Sequence, residues 1–326
     1  MKRTLAIILV MAMVLAMAVG CGSKKTEEAA STNAPKTEET VYKIGVLQYV
    51  QHDALDASNK GFFAALDDKG VKYEANQQNA AAEMSSCQTI AQTLVNNKSD
   101  LIFAIATPAA QSVAGLTKDI PVVVTAVTDP AAAELVASNE APGGNITGTS
   151  DLTPVKEQIE LLQKILPEAK TVGLIYCSAE ANSVIQVDMA KEVCKAVGLE
   201  TADYTVSNSN EVQTVVESMV GKVDVIYAPT DNMIASAMTT ISMVATENKI
   251  PIICGEENMV KNGGLATYGI DYYALGYKAG LMAAQILTEG SNPADMPIGY
   301  LAAEDCALTV NDEVAKQLGI DMSGLK

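Results

Sequence analysis

The sequence contains no tryptophan, only three phenylalanines and a single histidine in 326 residues. The lone His52 cannot supply the several imidazoles of a zinc site, and no Cys-x-x-Cys pair is present. The sequence also lacks G-x-x-x-x-G-K-[ST], G-x-S-x-G and H-E-x-x-H, and no G-x-G-x-x-G follows its first strand-like segment. We therefore expect no metal and no cofactor.

Basic residues are scarce as well. There are 22 Lys and Arg against 39 Asp and Glu, which gives a net charge of −17. Binding to nucleic acid requires clusters of Lys and Arg, so this class of partner is excluded. The simplest explanation of the acidic charge is solubility. After the N-terminus, no apolar run approaches the roughly 20 residues that span a bilayer.

The N-terminus has the pattern of a secretory leader. Lys2 and Arg3 precede an apolar run over residues 5–19, which predicts a signal peptide over residues 1–20. The run ends in Ala-Val-Gly-Cys, which resembles a lipobox except for alanine at its first position, where leucine is usual. We therefore predict palmitate-type acylation of Cys21, which would anchor the protein outside the cytoplasm. A plain secretory signal with a coincidental cysteine is the alternative.

Residues 21–40 are rich in Lys, Glu, Thr, Ser and Ala and show no apolar period, which predicts a flexible tether. Five cysteines follow it, an odd number, and each lies in an apolar pattern typical of a buried small side chain. No obligatory disulfide is expected, although pairing of Cys177 with Cys194 stays open. The other three are Cys87, Cys254 and Cys306.

From residue 41 onward, strand-like and helix-like segments alternate. Runs such as LIFAIA over 101–106 and PVVVTAV over 121–127 are apolar throughout, as in strands buried on both faces. Helix-like segments over 54–69, 81–97 and 109–118 separate the strands of a first round, and a second round begins after residue 154. Such alternation indicates right-handed βαβ crossovers, so we predict an α/β protein of two Rossmann-like lobes with parallel sheets.

Two extended polar segments, 143–150 and 265–271, are predicted to cross between the lobes, and a third crossing is predicted near 297–305. Several strands at a waist would form a hinge that bends without unfolding either lobe. The predicted lobes are residues 41–149 with 272–298, and residues 150–271 with 299–326. Two lobes joined by one linker are the alternative.

Ligands of parallel sheets bind at the carboxyl ends of the strands, so the polar residues there are the candidate site. The candidates are Gln48, Tyr49, His52, Thr107, Ala109, Thr128, Asp129, Asp151, Asn182, Asp231, Asn232, Glu256 and Asp271.

The candidates suit the parts of an α-amino acid. Thr107 and the start of the following helix suit a carboxylate, and the acidic residues, among them Asp151, Asp231, Glu256 and Asp271, suit an ammonium group. Tyr49 and Tyr272 can flank an apolar or aromatic side chain. The alternative for each Asp or Thr is a helix N-cap and nothing more. His52 is kept as a binding contact, although a lone histidine is more often structural.

Seven segments carry a resemblance to a known family. They are IGVLQYVQHDALD (44–56), IATPAAQ (105–111), DIPVVVTAVTDP (119–130), PGGNITGTSDLTP (142–154), EANSVIQV (180–187), YAPTDNMIASAM (227–238) and LATYGIDYYALG (265–276). Together they resemble the ABC-transporter substrate-binding lipoproteins associated with uptake of tryptophan, tyrosine and phenylalanine. The resemblance covers nearly everything from residue 42 onward.

This resemblance implies a type I periplasmic-binding fold with three hinge crossovers, an aromatic amino acid as ligand, and an ABC permease with its ATPase as partners. It implies that Thr107, Thr128, Asp151, Asp231 and Asp271 lie at the cleft. The sequence departs from the family at Gln51, where glutamate is frequent, and at residues 255–258.

We therefore expect a monomeric binding protein, not an enzyme, which closes two lobes on its ligand. Two other hypotheses stay open at this point. One is a sensor for another small polar solute, a sugar or nucleoside, that feeds a membrane receptor. The other is a hydrolase or racemase that uses paired carboxylates such as Asp151 and Asp231.

Overall fold

The structure is a computed structural model that describes residues 40–302 and 306–325. The predicted signal peptide, the acylated Cys21 and all of the tether before residue 40 lie outside the described residues. Within the part described, no helix is both long enough and apolar enough to cross a membrane.

The first sheet has five parallel strands in the order β2-β1-β3-β4-β5. Its strands are β1 Val41–Gln48, β2 Lys72–Asn79, β3 Leu101–Ile105, β4 Val122–Val127 and β5 Ile146–Ser150. Its connecting helices are α1 Asp53–Asp68, α2 Met84–Asn96 and α3 Thr107–Ala114. Every residue of β3 and β4 is buried, as the continuous apolar runs predict for strands covered on both faces.

The second sheet has six strands in the order β11-β10-β9-β8-β6-β7, of which only β11 is antiparallel to its neighbour. The strands are β6 Thr171–Cys177, β7 Glu200–Val206, β8 Val225–Ala228, β9 Ile252–Cys254, β10 Ala266–Gly269 and β11 Ala307–Val310. The helices are α4 Val155–Ile165, α5 Ala181–Ala196, α6 Val212–Met219, α7 Asn232–Ser236, α8 Met238–Glu247, α9 Glu257–Lys261, α10 Tyr272–Ala284 and α11 Asp312–Leu318.

The chain passes between the two sheets three times. It leaves the first sheet after β5, and α4 then packs in the core of the second. It returns after β10, when α10 packs in the core of the first sheet. The last passage begins after Gly299, which pairs with Thr149 of β5. It leads to β11. The fold is thus the two-lobed α/β arrangement expected from the sequence.

Helix α10 is held against α1 by backbone contact that only glycine permits. A Cβ atom on Gly276 would lie 1.9 Å from the carbonyl oxygen of Ser58, and one on Gly61 would lie 2.1 Å from that of Tyr273. These contacts let the two helices approach so closely that Phe62 of α1 stacks on Phe103 of β3 beneath them. The segment after the second crossing is therefore fixed to the first lobe.

Some boundaries differ from the sequence-based predictions. Helix α2 begins at Met84 instead of residue 81, because Ala81 and Ala82 have φ angles of 53° and 63°, outside the helical range. In the second lobe, α7 and α8 are separate helices that meet at Ala237. The crossing over 143–150 contains a true strand, β5. Cys177 and Cys194 are buried free thiols, so the disulfide left open between them is not formed.

Replacing Gly276 by alanine should destabilise the first lobe by about 1–3 kcal/mol, because α1 and α10 must move apart. Urea unfolding measures the change. The control is Gly144→Ala, since a Cβ atom there meets nothing within 4 Å. Equal unfolding midpoints for the two variants would contradict the close helix contact.

Candidate functional site

The carboxyl ends of the strands in both sheets meet around one narrow cavity of about 10 Å³. The first lobe contributes the start of α1 and of α10, and the second lobe contributes the loops after β8 and β9. Its lining residues are His52, Leu55, Asp151, Thr230, Asp231, Asn232, Ala235, Glu256 and Tyr272. This is the edge at which open parallel sheets bind ligands.

Hydrogen bonds join the two lobes directly beside this cavity. Imidazole Nε2 of His52 lies 3.3 Å from Oδ1 of Asn232, and burial lowers the pKa of His52. Nε2 of Gln186 donates to Oγ1 of Thr128 over 3.1 Å. At the rim, Nδ2 of Asn262 donates to Oδ2 of Asp53 over 3.0 Å. The interlobe surface is therefore polar and uses short side chains.

Four carboxyl groups are buried in or next to this region, and no cation pairs with any of them. Asp151, Glu180, Asp231 and Glu256 are each at most 4% exposed. Within residues 40–302 and 306–325, the ion pairs all lie elsewhere and involve Lys156, Lys191 and Lys261. Buried carboxylates without a cation are costly, so each of them needs hydrogen bonds, a bound proton or a positively charged ligand.

Three of the four carboxyl groups also hold local backbone in place. Asp231 caps α7 by accepting from the N–H of Ile234 over 2.8 Å, and Glu256 caps α9 by accepting from the N–H of Met259 over 2.6 Å. Glu180 accepts from the N–H of Met233. Burial raises the pKa of Glu256 to about 7, and burial with the nearby charge of Asp231 raises that of Glu180 to about 8.

Asp151 differs from these three because its side chain caps no helix. Its Oδ2 accepts from the hydroxyl of Tyr272 over 2.7 Å and its Oδ1 accepts from Oγ1 of Thr128 over 3.3 Å. Burial raises the pKa of Asp151 to about 6, against the opposing effect of these hydrogen bonds. A carboxylate has about four acceptor positions, so Asp151 retains capacity for a further donor.

Four buried side-chain atoms have no partner in the described structure; they belong to Asn59, Thr107, Thr153 and Asn182. Two of them lie in the first turn of a helix that follows a strand. One is Oγ1 of Thr107, at the first residue of α3, and the other is Oδ1 of Asn182, in the first turn of α5. Both residues are at most 3% exposed. Buried polar groups are nearly always paired, so a hydroxyl from one lobe and an amide oxygen from the other remain for a ligand.

Comparison with known proteins agrees with this geometry. Residues 43–324 match the family described as ABC transporter substrate binding protein. The chain belongs to this family. Its members bind a solute outside the cytoplasm and do not transform it, so the hydrolase or racemase hypothesis is set aside. Among the described residues, no group of His, Cys, Asp and Glu could hold a metal ion.

Two relatives of this substrate-binding protein are described with an amino acid ligand. It is 43% identical to a tyrosine-binding protein of Clostridioides difficile over 97% of this chain and 92% of that protein. It is 39% identical, with a TM-score of 0.84, to a Streptococcus pneumoniae ABC domain solved in complex with L-Trp; 87% of this chain and 96% of that one are covered.

A third relative is a ligand-free, open substrate binding protein with adhesive properties from Clostridium difficile. Its identity to this chain is higher, at 46%, over 86% of this chain and 96% of that one, but its TM-score is only 0.65.

The structure brings most, but not all, of the predicted site residues together. His52, Asp151, Asp231, Asn232 and Glu256 line the cavity. Two further residues bond to cavity residues: Thr128 donates to Asp151, and Asn182 donates to the carbonyl oxygen of Thr230. Tyr49, Thr107 and Ala109 are buried at strand ends or in the first turn of a helix.

Three predicted site residues have other contacts in this binding protein. The amide of Gln48 donates to Oδ1 of Asp56 within the first lobe. Asp129 accepts from the N–H groups of Ala131 and Ala132, so it fixes the turn after β4. Asp271 is exposed and its side chain caps the N-terminus of α10. It therefore acts as a helix N-cap, the alternative to ligand binding for each Asp and Thr.

Sequence reasoning missed two residues that shape the site, Glu180 and Gln186. Glu180 lies in the loop between β6 and α5, two residues before Asn182. Nothing in the local sequence shows that its carboxyl group is buried. Gln186 follows Asn182 by one helical turn and therefore shares its face of α5. Its Nε2 contacts Thr128 of the other lobe, a contact that only the tertiary structure reveals.

The raised pKa of Asp151 makes stability depend on pH. The folded state binds the proton more tightly than the unfolded state, so this contribution is present below about pH 4 and is lost as the pH rises through 6. In Asp151→Asn the fall in unfolding free energy between pH 4 and pH 7 should be smaller than in the native protein, by up to about 3 kcal/mol.

Urea unfolding without added ligand measures this difference at each pH. The exposed carboxyl variant Glu168→Gln serves as control and should keep the native pH dependence. Parallel curves for the native protein and Asp151→Asn would contradict burial of an uncompensated carboxyl at this position.

Proposed function

We propose that this protein binds an aromatic α-amino acid between its two lobes and delivers it to an ABC importer. The observation that supports this most strongly is the asymmetry of the first sheet's edge at the carboxyl ends of its strands. At β5 it ends in a buried carboxyl without a cation, Asp151. At β3 it ends in a hydroxyl without an acceptor, Thr107, at the start of a helix.

Asp151 would bind the ammonium group. An ammonium donates three hydrogen bonds, and a bond between it and a carboxylate is charge-assisted. Tyr272 and Thr128 hold the carboxyl group in place from two sides. Ligand binding would thus supply the positive charge that the chain itself does not place there.

Thr107 would bind the carboxylate, together with free N–H groups in the first turn of α3. Strands β3 and β5 are separated by β4, so their ends are about 9–10 Å apart. An amino acid backbone of about 3 Å with a hydrogen bond of about 3 Å at each end spans a similar length. The length of the zwitterion therefore matches the spacing of these two strand ends, once the lobes open to admit it.

The aromatic character of the ligand is proposed from two sources. Tyr49 and Tyr272 are buried at the same strand edge and offer flat apolar surfaces. The relatives that are 43% and 39% identical are a tyrosine-binding protein and a domain solved with L-Trp. Tyrosine, tryptophan and phenylalanine are thus the ligands to test first.

Lobe closure is supported by the two structural comparisons. This chain superimposes better on the L-Trp complex than on the ligand-free open structure, although its sequence is closer to the latter. Rotation of two rigid lobes about the three crossings would produce such a difference. Residues 41–149 with 272–298 would move against residues 150–271 with 299–326.

The same proposal includes the cellular setting. Acylated Cys21 would anchor a monomer to the outer face of the membrane, with residues 21–40 as its tether. The closed form would then be recognised by a permease and its ATPase. Digestion and mass spectrometry of the membrane-extracted protein would detect the diacylated N-terminal peptide, and an unmodified cysteine there would refute the anchor.

Isothermal titration calorimetry of the purified protein tests the ligand class. Heat should be released on titration with tyrosine, tryptophan or phenylalanine, and glucose should give no signal. Binding of a sugar or nucleoside with no response to any of the three amino acids would refute the proposal and favour the sensor hypothesis.

Two isosteric variants test the assigned contacts. Asp151→Asn should weaken binding of the preferred amino acid about 10- to 100-fold, since it removes a charge-assisted hydrogen bond, and Thr107→Val should weaken it about tenfold. Glu168→Gln, on the exposed surface, is the matched control. Native affinity in both site variants would refute these contacts without refuting amino acid binding itself.

A further inference from the structure

Asn182 has an amide whose orientation is fixed by its neighbours. Its Nδ2 lies 3.2 Å from Oε2 of Glu180, 3.2 Å from Oγ of Ser183 and 3.1 Å from the carbonyl oxygen of Thr230. If the amide were flipped, its oxygen would face the carbonyl oxygen of Thr230, which has no proton to share. The nitrogen therefore points into the second lobe.

The oxygen of the same amide is left without a donor. Asn182 is only 3% exposed, and its Oδ1 has no hydrogen-bond partner among the described residues. An unpaired buried acceptor is unfavourable, and a ligand carrying a donor would remove that cost. Asn182 thus has one free position, and that position can only accept a hydrogen bond.

This amide lies between two contacts of its lobe with the first lobe. One helical turn further along α5, Gln186 donates to Oγ1 of Thr128 over 3.1 Å. On its other side, Glu180 accepts from both this amide and Asn232, and Oδ1 of Asn232 lies 3.3 Å from His52. The unpaired oxygen is therefore close to the surface at which the two lobes meet, where a ligand would bind.

We propose that Asn182 selects ligands whose aromatic ring carries a hydrogen-bond donor, such as the phenol of tyrosine or the indole of tryptophan. The inference rests on the proposed function, because it assigns the far end of the same ligand. The ammonium is attracted more strongly to the carboxyl of Asp151 than to a neutral amide. The amide oxygen then remains for the neutral donor, which phenylalanine lacks.

The first test uses the native protein and a ligand series in calorimetry. Tyrosine should bind at least tenfold more tightly than phenylalanine, and 4-fluorophenylalanine, which nearly matches tyrosine in size but has no donor, should resemble phenylalanine. Equal affinities for all three would overturn the role of Asn182 and leave the proposed function intact. No binding of any of them, or of tryptophan, would overturn the proposed function itself.

The second test exchanges the amide for an apolar group of the same shape. In Asn182→Leu the affinity for tyrosine should fall about tenfold or more, whereas the affinity for phenylalanine should change less than about threefold. Asn248→Ala, at the exposed end of α8, should preserve the native ratio. A variant that loses affinity for both ligands equally would show a merely structural role and overturn the inference, and the native ligand series supports or overturns it independently of folding.

Discussion

The structure depends on one electrostatic constraint, which is the burial of carboxyl groups that no cation among residues 40–302 and 306–325 neutralises. Asp151, Glu180, Asp231 and Glu256 are at most 4% exposed, and every ion pair in the described residues lies elsewhere. Such groups are tolerated only if backbone N–H groups and hydroxyls bond them or if they hold a proton. Both occur here, since helix caps satisfy some of these oxygens and pKa values rise to about 6–8.

The topology explains why these groups meet. Parallel strands place all of their carboxyl ends at one edge, and two sheets joined by three crossings bring two such edges face to face. The interlobe hydrogen bonds of His52, Thr128 and Asp53 are few and involve short side chains. Few contacts of this kind are easily broken and remade, as a hinge that releases its ligand requires.

Much of the fold could be predicted from sequence because its signals are local. Apolar runs marked the buried strands, and strand ends followed by Asp, Asn or Glu marked the cavity residues Asp231, Asn232 and Glu256. Glycine spacing alone did not show that Gly61 and Gly276 bring α1 against α10, because that contact joins residues more than 200 positions apart.

Prediction of the site failed where chemistry depends on distant neighbours. An aspartate after a strand looks the same in sequence whether it caps a turn, as Asp129 does, or keeps an open acceptor position, as Asp151 does. Glu180 and Gln186 were missed for the same reason, since burial of one and the interlobe contact of the other arise only when the lobes meet. The unpaired atoms of Thr107 and Asn182 likewise appear only after every neighbour is placed.

The central claim is that the cleft supplies negative charge and the ligand supplies the cation. A crystal structure of the protein grown with tyrosine tests it most directly. We expect the ligand between the lobes, with its ammonium nitrogen about 3 Å from a carboxyl oxygen of Asp151. A ligand on an outer surface, or an ammonium group directed to solvent while Asp151 keeps only Tyr272 and Thr128, would contradict it.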